Sequence, residues 1–268
     1  MDADIERRQR AIKRHLSVYC QENHRKSGLP SLGNIFVTKT PQLLYCMVPK
    51  VASRQWRSLL ARLKRTRLQP QHNPTEVKYF FSRYYKFMFV REPFERLLSA
   101  YKDKFVNPVR PSAYRNYQSY RRKIVANFRR NATQEALSAA ENPTFPEFIE
   151  YILKQGVHEG LDQHWNLYEG QCRPCSVGYN FIGRYEFLIQ DANYVLRKAG
   201  VRNSVRFPSE KHSKTSDELL KYYSQIPLAW IEQLGGIYRS NFEMFGYPFP
   251  GPLEPLFLNA TGSSVAGT

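Results

Sequence analysis

The chain has 268 residues, 42% of them hydrophobic and 14% aromatic, and its 40 Lys and Arg against 23 Asp and Glu give a formal net charge of +17. This length suits one large domain with a full core, and the composition excludes an intrinsically disordered chain. The basic excess favours a polyanionic partner, which from charge alone is nucleic acid, anionic lipid or acidic polysaccharide.

The N-terminal segment is basic and polar, and we interpret residues 1–30 as a helical arm or stem that lies outside the core. Residues 1–14 lack the apolar stretch of a signal peptide. No apolar run in the chain approaches the roughly 20 residues needed to cross a bilayer. Taken literally, these features predict a soluble and unsecreted protein.

A strand, a tight turn and a helix are predicted in residues 43–65. Residues 43–48 are an apolar run closed by Pro49, which is typical of a buried strand. Residues 56–64 follow a helical period, apolar on one face and basic on the other. The apolar positions are Trp56, Leu59, Leu60 and Leu63, and the basic positions are Arg57, Arg62 and Lys64.

The same order of elements recurs downstream. Residues 87–90 are a second buried-strand run, and Pro93 suits the first turn of the helix that follows. Residues 107–130 are dense in Arg, Lys and Tyr, which predicts a solvated basic element. Thr144 and Glu147 have the spacing of a capping box, so we expect another helix to begin there.

A third strand at residues 179–183 and helices at residues 191–198 and about 228–241 complete the pattern. Buried strands that alternate with amphipathic helices predict the α/β class, with a central parallel sheet covered by helices on both faces. We assign one domain to residues 31–250 and an irregular tail to residues 251–268.

Two turns have the residues to bind anions. In an open parallel sheet, ligands bind beyond the carboxyl ends of the strands. The first turn, residues 49–56, offers backbone N–H groups at a helix start, the Lys50 ammonium and the Ser53 hydroxyl. It lacks the GxxxxGK[ST] pattern, so nothing here predicts nucleotide triphosphate hydrolysis. A lysine that is merely solvated is the structural alternative.

The second turn supplies Arg91, and Ser99 follows two helical turns later. An arginine fork and a hydroxyl on the same side of a helix suit a phosphate group. An ion pair between Arg91 and Glu95 is an equally good structural interpretation of the same residues.

The cysteines and glycosylation sequons bear on the cellular compartment. The cysteines are Cys20, Cys46, Cys172 and Cys175, an even number compatible with two disulfides. Cys172 and Cys175 form a lone CxxC motif, for which we favour structural disulfide bonding over a redox centre or a zinc site, since zinc requires a second pair. Asn131 and Asn259 each begin an N-glycosylation sequon, which indicates the secretory pathway.

Residues 45–52 read Tyr-Cys-Met-Val-Pro-Lys-Val-Ala, and residues 87–105 begin Phe-Met-Phe-Val-Arg-Glu-Pro. Together, with Trp56, they resemble the 5′-phosphosulfate and 3′-phosphate binding motifs of Golgi carbohydrate sulfotransferases. The branch they resemble contains the chondroitin and dermatan 4-O-sulfotransferases, the GalNAc-4-sulfotransferases and the HNK-1 sulfotransferase. The resemblance covers about residues 20–247 and includes the segment at 130–137, the His164-Trp165 pair, the CxxC motif and residues 191–200.

The resemblance implies a P-loop-like sulfotransferase fold that binds the donor 3′-phosphoadenosine-5′-phosphosulfate (PAPS) and releases PAP, with no metal. It makes Lys50 a catalytic residue at the leaving group and places Arg91 and Ser99 at the 3′-phosphate. The implied donor-binding residues are Pro49, Lys50, Val51, Ala52, Ser53, Arg54, Gln55, Trp56, Arg91 and Ser99. One departure stands in this set: the family has Cys-Thr-Asn-Trp or Cys-Ser-Asn-Trp where this chain has Ser-Arg-Gln-Trp at 53–56.

The implied acceptor is a sugar hydroxyl of an acidic glycosaminoglycan or a glycoprotein glycan. The segment around Asn131 favours the 4-hydroxyl of N-acetylgalactosamine in chondroitin. Dermatan, terminal GalNAc and 3-O-sulfation of glucuronic acid, as in the HNK-1 type, are alternatives. The resemblance also implies a protein of the Golgi lumen with a type II membrane anchor that this chain does not show.

We expect His164 to be the catalytic base, because it lies in the matching His-Trp pair and imidazole titrates in the useful range. Asp162 is its rival, and a histidine without a catalytic role is the structural alternative. Within the basic element, Arg121, Arg122 and Lys123 are predicted to contact an acidic acceptor; a solvated helix with its tyrosines on the core is equally plausible. A nucleic-acid-binding module and a catalytically silent glycan-binding relative are the rival functions.

Overall fold

The computed structural model describes residues 2–23, 28–107, 115–201, 205–208 and 215–262. The strands are β1 (Ile35–Thr38), β2 (Leu43–Cys46), β3 (Thr66–Arg67), β4 (Tyr85–Val90) and β5 (Phe181–Arg184). The helices are α1 (Asp2–Glu22), α2 (Ser53–Arg62), α3 (Pro74–Arg83), α4 (Pro93–Tyr101), α5 (Gln118–Phe128), α6 (Gln134–Ser138), α7 (Phe145–Tyr151), α8 (Val157–Glu159), α9 (Tyr168–Cys172), α10 (Pro174–Val177), α11 (Leu188–Lys198), α12 (Thr215–Tyr223), α13 (Leu228–Ile237), α14 (Arg239–Phe245) and α15 (Glu254–Gly262).

The described residues divide into two compact units. The first comprises those within Met1–Glu92, Asn166–His212 and Ser240–Tyr247, and the second those within Pro93–Trp165, Ser213–Arg239 and Pro248–Thr268. All five strands of the sheet belong to the first unit, whereas the described part of the second unit is built from helices and turns. The single domain assigned to residues 31–250 stays a prediction.

The sheet of the first unit has the strand order β3-β1-β2-β4-β5. Strand β2 is parallel to β4, and β4 is parallel to β5, whereas β1 is antiparallel to both β2 and β3. The predicted α/β class is therefore confirmed, and the three predicted strands form its parallel part. The antiparallel strands β1 and β3 were not foreseen, because they are short and β3 is exposed on both faces.

An aromatic cluster fixes α2 on the sheet. Trp56 is fully buried, and its ring centroid lies 4.7 Å from that of Phe87, 5.2 Å from Phe89 and 4.9 Å from Phe207. Tyr45 of β2 stacks on Phe87 at 5.0 Å. Aromatic pairs at these distances add to the free energy gained by burial. The cluster therefore sets where the turn between β2 and α2 can run.

The prediction that the N-terminal segment lies outside the core is wrong for α1. Ile5 and Ile12 are each 1% exposed, and Tyr19 is also buried. The Gln9 side chain donates to the Ile182 carbonyl oxygen at 2.7 Å and accepts from the Ile182 N–H at 3.0 Å. Charged residues surround these apolar positions in the sequence, so their seven-residue spacing was easy to overlook. Residues 24–27 lie outside the described residues.

The core of the second unit is also aromatic. Tyr101 packs on Phe148 at 5.5 Å, and Phe148 lies 5.3 Å from both Phe105 and Trp165, measured between ring centroids. The capping box at Thr144 is confirmed, because its hydroxyl accepts from the Glu147 N–H and the Glu147 carboxylate accepts from the Thr144 N–H. Helix α7 therefore begins where the sequence predicts it.

The C-terminal segment differs from its prediction as an irregular tail. A 3-10 turn occupies Gly251–Leu253, and α15 follows at Glu254–Gly262. The proline-rich segment after Tyr247 suggested irregular structure, but prolines are tolerated in the first turn of a helix, which is where Pro255 lies. Residues 263–268 lie outside the described residues.

Candidate functional site

The turn between β2 and α2 has an uncommon backbone. Lys50 has φ 70° and Ala52 has φ 54°, both in the left-handed region. A residue with a side chain pays about 1–2 kcal/mol for this conformation. Val51, which lies between them, is fully buried and so ties the turn to the core. Such strain persists where surrounding packing enforces it, and it is concentrated at functional sites.

Helix α2 begins directly after this turn. Its N-cap residue, Ala52, makes no side-chain capping hydrogen bond, and the first turn contains no acidic residue. The first N–H groups of a helix have no partner within the helix, and the helix dipole adds positive potential there. With Lys50 before the helix and Arg54 in its first turn, this end of α2 can receive an anion such as a phosphate.

The predicted donor-binding residues differ in their exposure to solvent. Lys50, Ser53 and Gln55 are half-buried and Arg54 is exposed, whereas Pro49, Val51, Ala52 and Trp56 are buried. The expectation that Trp56 binds the donor is not met by its side chain, because the indole ring lies in the aromatic cluster of the core. It therefore positions α2 and does not itself present a surface to a ligand.

Arg91 and Lys50 come together at the carboxyl ends of the neighbouring parallel strands β4 and β2. Arg91 Nη1 lies 3.5 Å from the Lys50 carbonyl oxygen, and the Arg91 side chain is 1% exposed. Its guanidinium lies 4.2 Å from the ring centroid of Tyr185. The backbone N–H of Arg91 donates to the Tyr168 hydroxyl at 2.9 Å. The Arg91 guanidinium is thus held close behind the turn that precedes α2.

Sequence reasoning did not identify Tyr168 and Tyr185 as residues of this site. Both are more than seventy positions from Arg91, and neither belongs to a motif that indicates a ligand. Ser99, the predicted partner of Arg91, lies half-buried in α4, which belongs to the second unit. Its proposed role at a phosphate stays a prediction.

The second unit holds a hydrogen-bonded group around His164. The His164 Nδ1 atom lies 2.7 Å from Asp162 Oδ1, and the backbone N–H of His164 donates to the same oxygen at 2.9 Å. The Tyr117 hydroxyl lies 2.7 Å from His164 Nδ1 and 3.1 Å from both carboxylate oxygens of Asp162. An ionised carboxylate only accepts, so Nδ1 carries the ring proton and Nε2 retains the lone pair that a base requires.

The pKa shifts agree with this assignment. Burial raises the pKa of Asp162, but the hydrogen bonds from His164 and Tyr117 outweigh it, and the net shift is downward. Burial, followed by the charge of Asp162, raises the pKa of Tyr117. Asp162 is therefore the ionised acceptor and Tyr117 a protonated donor. Tyr117, which the sequence suggested only as one of the tyrosines of the basic element that pack on the core, was missed as a polar group of this site.

The basic element is only partly available to an acceptor. The prediction that Arg121 contacts an acceptor is wrong, because the residue is fully buried. Its Nε donates to Asn142 Oδ1 at 2.8 Å, and its Nη2 donates to the Lys104 carbonyl oxygen. Arg122 is exposed and donates to the Leu137 carbonyl, and Lys123 forms an ion pair with Glu159. Residues 108–114, near the start of this element, lie outside the described residues.

The two disulfides do not close the CxxC motif on itself. Cys46 at the end of β2 is bonded to Cys172, and Cys20 in α1 is bonded to Cys175. Both CxxC cysteines are thus structural, but each is bonded to a cysteine more than a hundred positions away. Asn131 and Asn259 are both exposed.

Within the described residues, no group of His, Cys, Asp and Glu side chains is arranged to hold a metal ion. No helix in the same part of the chain is both long and apolar enough to span a membrane.

Comparison with known proteins identifies the family of the chain. The sequence profile described as "Sulfotransferase family" matches residues 33–248, which is most of the chain. The chain belongs to the sulfotransferase family, and it is an enzyme of the transferase class. The matched segment includes Lys50, Arg91 and His164.

Three relatives illustrate this similarity. Carbohydrate sulfotransferase 11 of Rattus norvegicus is 34% identical over 247 residues, covering 83% of this chain and 69% of the relative. Carbohydrate sulfotransferase 14 of Homo sapiens is 34% identical over 282 residues, covering 93% and 72%. Carbohydrate sulfotransferase 8 of Mus musculus is 31% identical over 268 residues, covering 91% and 63%. No solved structure matches the chain.

Proposed function

We propose that this protein transfers the sulfuryl group of PAPS to a hydroxyl of a glycan, and that the preferred acceptor is the 4-hydroxyl of N-acetylgalactosamine in chondroitin. Family membership supports sulfuryl transfer, and the relatives named carbohydrate sulfotransferases support a sugar acceptor. Dermatan, terminal GalNAc and glucuronic acid at its 3-hydroxyl are the alternative acceptors.

The observation that carries this proposal is the turn at residues 49–52, which leads directly into the N-terminus of α2. A 5′-phosphosulfate is an anion, and it fits a site that offers the N–H groups of a helix start, the positive end of a helix dipole and no carboxylate in the first turn. Lys50 and Arg91 add cationic side chains to the same end of the sheet. The residues present therefore fit the donor.

Sulfuryl transfer is an in-line displacement: the bond from sulfur to the acceptor oxygen forms while the bond from sulfur to the phosphate oxygen breaks. Negative charge then grows on the departing phosphate. We assign Lys50 to stabilise that charge, and Arg91 with Ser99 to hold the 3′-phosphate of the donor. PAP leaves with the electron pair of the broken bond.

The acceptor hydroxyl loses its proton to a base, and we assign this role to His164 Nε2. The hydrogen bond between His164 Nδ1 and Asp162 supports the assignment, because it orients the ring and stabilises the imidazolium that forms. Asp162, the rival base in the sequence, is thereby assigned as the positioning residue.

We further propose that the protein works in the Golgi lumen on an acidic glycosaminoglycan or a glycoprotein glycan. Two disulfides suit an oxidising compartment, and both sequon asparagines are exposed to glycosylation. Neither observation bears on a membrane anchor, so the expected type II anchor rests on the family resemblance.

A second candidate, a catalytically silent glycan-binding relative, is motivated by Arg54. The family places a threonine or serine hydroxyl there, and this chain places an exposed arginine in the first turn of α2. Ser53, half-buried one residue earlier, is the hydroxyl that remains. Arg54 either holds the donor by charge or shifts it away from the reactive position.

The test is transfer of radiolabelled sulfate from PAPS to desulfated chondroitin, with dermatan and heparosan in parallel, using protein made in a secretory host. Label in chondroitin, located at the 4-position by disaccharide analysis, is the expected result. Absence of label with every acceptor, while PAP binds in calorimetry, would favour the silent relative. An Arg54→Thr variant that gains activity would then identify the cause.

A further inference from the structure

The segment that contains the turn at residues 49–52, which we call the donor turn, is unusually one-sided in charge. From residue 23 to residue 75 the chain contains no Asp or Glu, while it contains ten Lys and Arg. Half of these cations lie in the eleven residues that start at Arg57. We call this group the α2 basic face: Arg57, Arg62, Lys64, Arg65 and Arg67.

The α2 basic face faces solvent and lacks counter-charges among the described residues. Arg57 and Arg62 in α2, Lys64 in the turn after it and Arg67 in β3 are all exposed. Within the described chain, no carboxylate lies within ion-pairing distance of these five side chains, although ion pairs are frequent elsewhere on the surface. The face therefore keeps its full positive charge.

Two of these cations are held in place. Arg65 Nε donates to the Arg57 carbonyl oxygen at 2.9 Å, and the Arg65 guanidinium lies 4.8 Å from the Phe36 ring centroid. Arg67 Nε donates to the Gly33 carbonyl oxygen at 2.6 Å. Side chains that are already ordered lose less conformational entropy when they bind a partner.

The crowding of these charges has a cost to the folded protein. Burial lowers the pKa of Arg65, and the charges of Arg57 and Arg67 lower it further. The effect of Arg57 and Arg67 on this pKa is the mutual repulsion of the cations. An anionic partner would relieve the repulsion, whereas a surface that serves only solubility is better formed by charges of both signs.

We infer that the α2 basic face is an exosite that binds the anionic glycan chain of the acceptor, away from the sugar that reacts. The inference rests on the proposed function. Helix α2 starts at the donor turn, and its rise of about 1.5 Å per residue extends the basic surface roughly 12 Å from Arg54 to Arg62. A polymer with a carboxylate in each repeat matches an extended row of cations better than a small ligand does.

The exosite also replaces the acceptor track that the sequence placed at Arg121, Arg122 and Lys123. Arg121 is buried and Lys123 is paired with Glu159. The α2 basic face has neither restriction among the described residues, and it belongs to the same unit as Lys50. A long acceptor would gain affinity from it, and a short one would not.

The test compares two triple variants of the full chain. The first, Arg57→Gln with Arg62→Gln and Lys64→Gln, removes three cations that form no side-chain hydrogen bond or ion pair in the described structure. The matched control, Arg10→Gln with Lys13→Gln and Arg14→Gln, removes three exposed cations from α1. Thermal unfolding shows whether both variants fold.

The first measurement is the Kd for unsulfated chondroitin polymer, at low and at physiological salt. We expect the α2 variant to bind about tenfold more weakly, because each exposed ion pair contributes only modestly. The difference from wild type should shrink at higher salt, where charges are screened. The control variant should bind like wild type.

The second measurement separates this inference from the proposed function. With the polymer as acceptor, KM should rise about tenfold in the α2 variant with kcat unchanged. With a short chondroitin oligosaccharide, KM should stay at the wild-type value. If wild type transfers sulfate but the α2 variant matches it on the polymer, or if the control variant loses as much, the exosite is refuted while the function stands. Tighter wild-type binding to an oligonucleotide than to chondroitin of equal charge would also overturn the inference.

Discussion

Replacing Asp162 with asparagine tests the assignment of His164 as the base. The substitution keeps the size of the side chain but removes its charge, so the 2.7 Å hydrogen bond to His164 Nδ1 becomes a neutral one. Charge-assisted hydrogen bonds are worth about 1.5–3 kcal/mol against about 1 kcal/mol for neutral ones. The lost difference of about 0.5–2 kcal/mol lowers kcat roughly 2- to 30-fold.

A second effect adds to this loss. The asparagine side chain has an N–H₂ group as well as an oxygen, so it no longer requires the ring proton to be on Nδ1. Part of the enzyme then holds the wrong tautomer, with a proton on Nε2 that blocks the acceptor. Since a general base contributes about 10²- to 10⁴-fold, we expect a combined loss in kcat of about 100-fold.

The assay is steady-state sulfate transfer to chondroitin, with PAP affinity measured in parallel by calorimetry. PAP affinity should be unchanged, because the substitution lies outside the donor turn. Tyr117→Phe is the matched control: it removes a hydroxyl from the same group but leaves the Asp162–His164 bond, so kcat should fall less than tenfold. An Asp162→Asn enzyme with kcat within threefold of wild type would refute the role of His164 as an oriented base.

The remaining predictions concern the donor turn, the disulfides and the behaviour in acid. Lys50→Ala should lower kcat more than it weakens PAP binding, because its stabilising charge matters most in the transition state; an unchanged kcat would remove it from the mechanism. Arg91→Ala should mainly weaken PAP binding, and since the residue is buried, Arg91→Lys is measured beside it to separate lost binding from lost folding. The double variant Cys46→Ser and Cys172→Ser should be less stable than wild type by about 2–4 kcal/mol, which is seen as a lower Tm. Because the variant already lacks this disulfide, reductant should lower its Tm less than that of wild type. Because the pKa of Asp162 is lowered in the folded state, its contribution to stability is complete above about pH 4 and is lost as the pH falls through the folded value; the unfolding free energy of Asp162→Asn should be flatter over that acid range.

The parts of the site that follow strands were predictable from the sequence. Lys50 and Arg91 each come after an apolar run, and parallel strands bring their carboxyl ends to one edge of the sheet. The backbone of the turn was not predictable, because neither Lys50 nor Ala52 is a residue that favours positive φ. Packing of Val51 and Trp56 imposes that conformation.

Contacts between distant segments had no signal in the sequence. Nothing in the spacing of Tyr117 marks it as a partner of His164, since it lies 47 positions before His164 and the basic residues around it suggest a solvated helix. The same reason explains the error at Arg121, which has the composition of a surface but the burial of a core residue. The disulfide partners could not be chosen either, because four cysteines allow three pairings.

The pairing of Gln9 with Ile182 has a consequence for the boundaries of the folding unit. Strand β5 is the last in the sheet, so its outer peptide groups would otherwise be open to a strand from another molecule. The side-chain amide of Gln9 takes the place of one such peptide, because it bonds both the N–H and the carbonyl oxygen of Ile182. A truncated protein that starts where the family match begins, at residue 33, would uncover this border and the apolar surface beneath Ile5 and Ile12. The helix before the matched region is thus the sheet's protection against self-association.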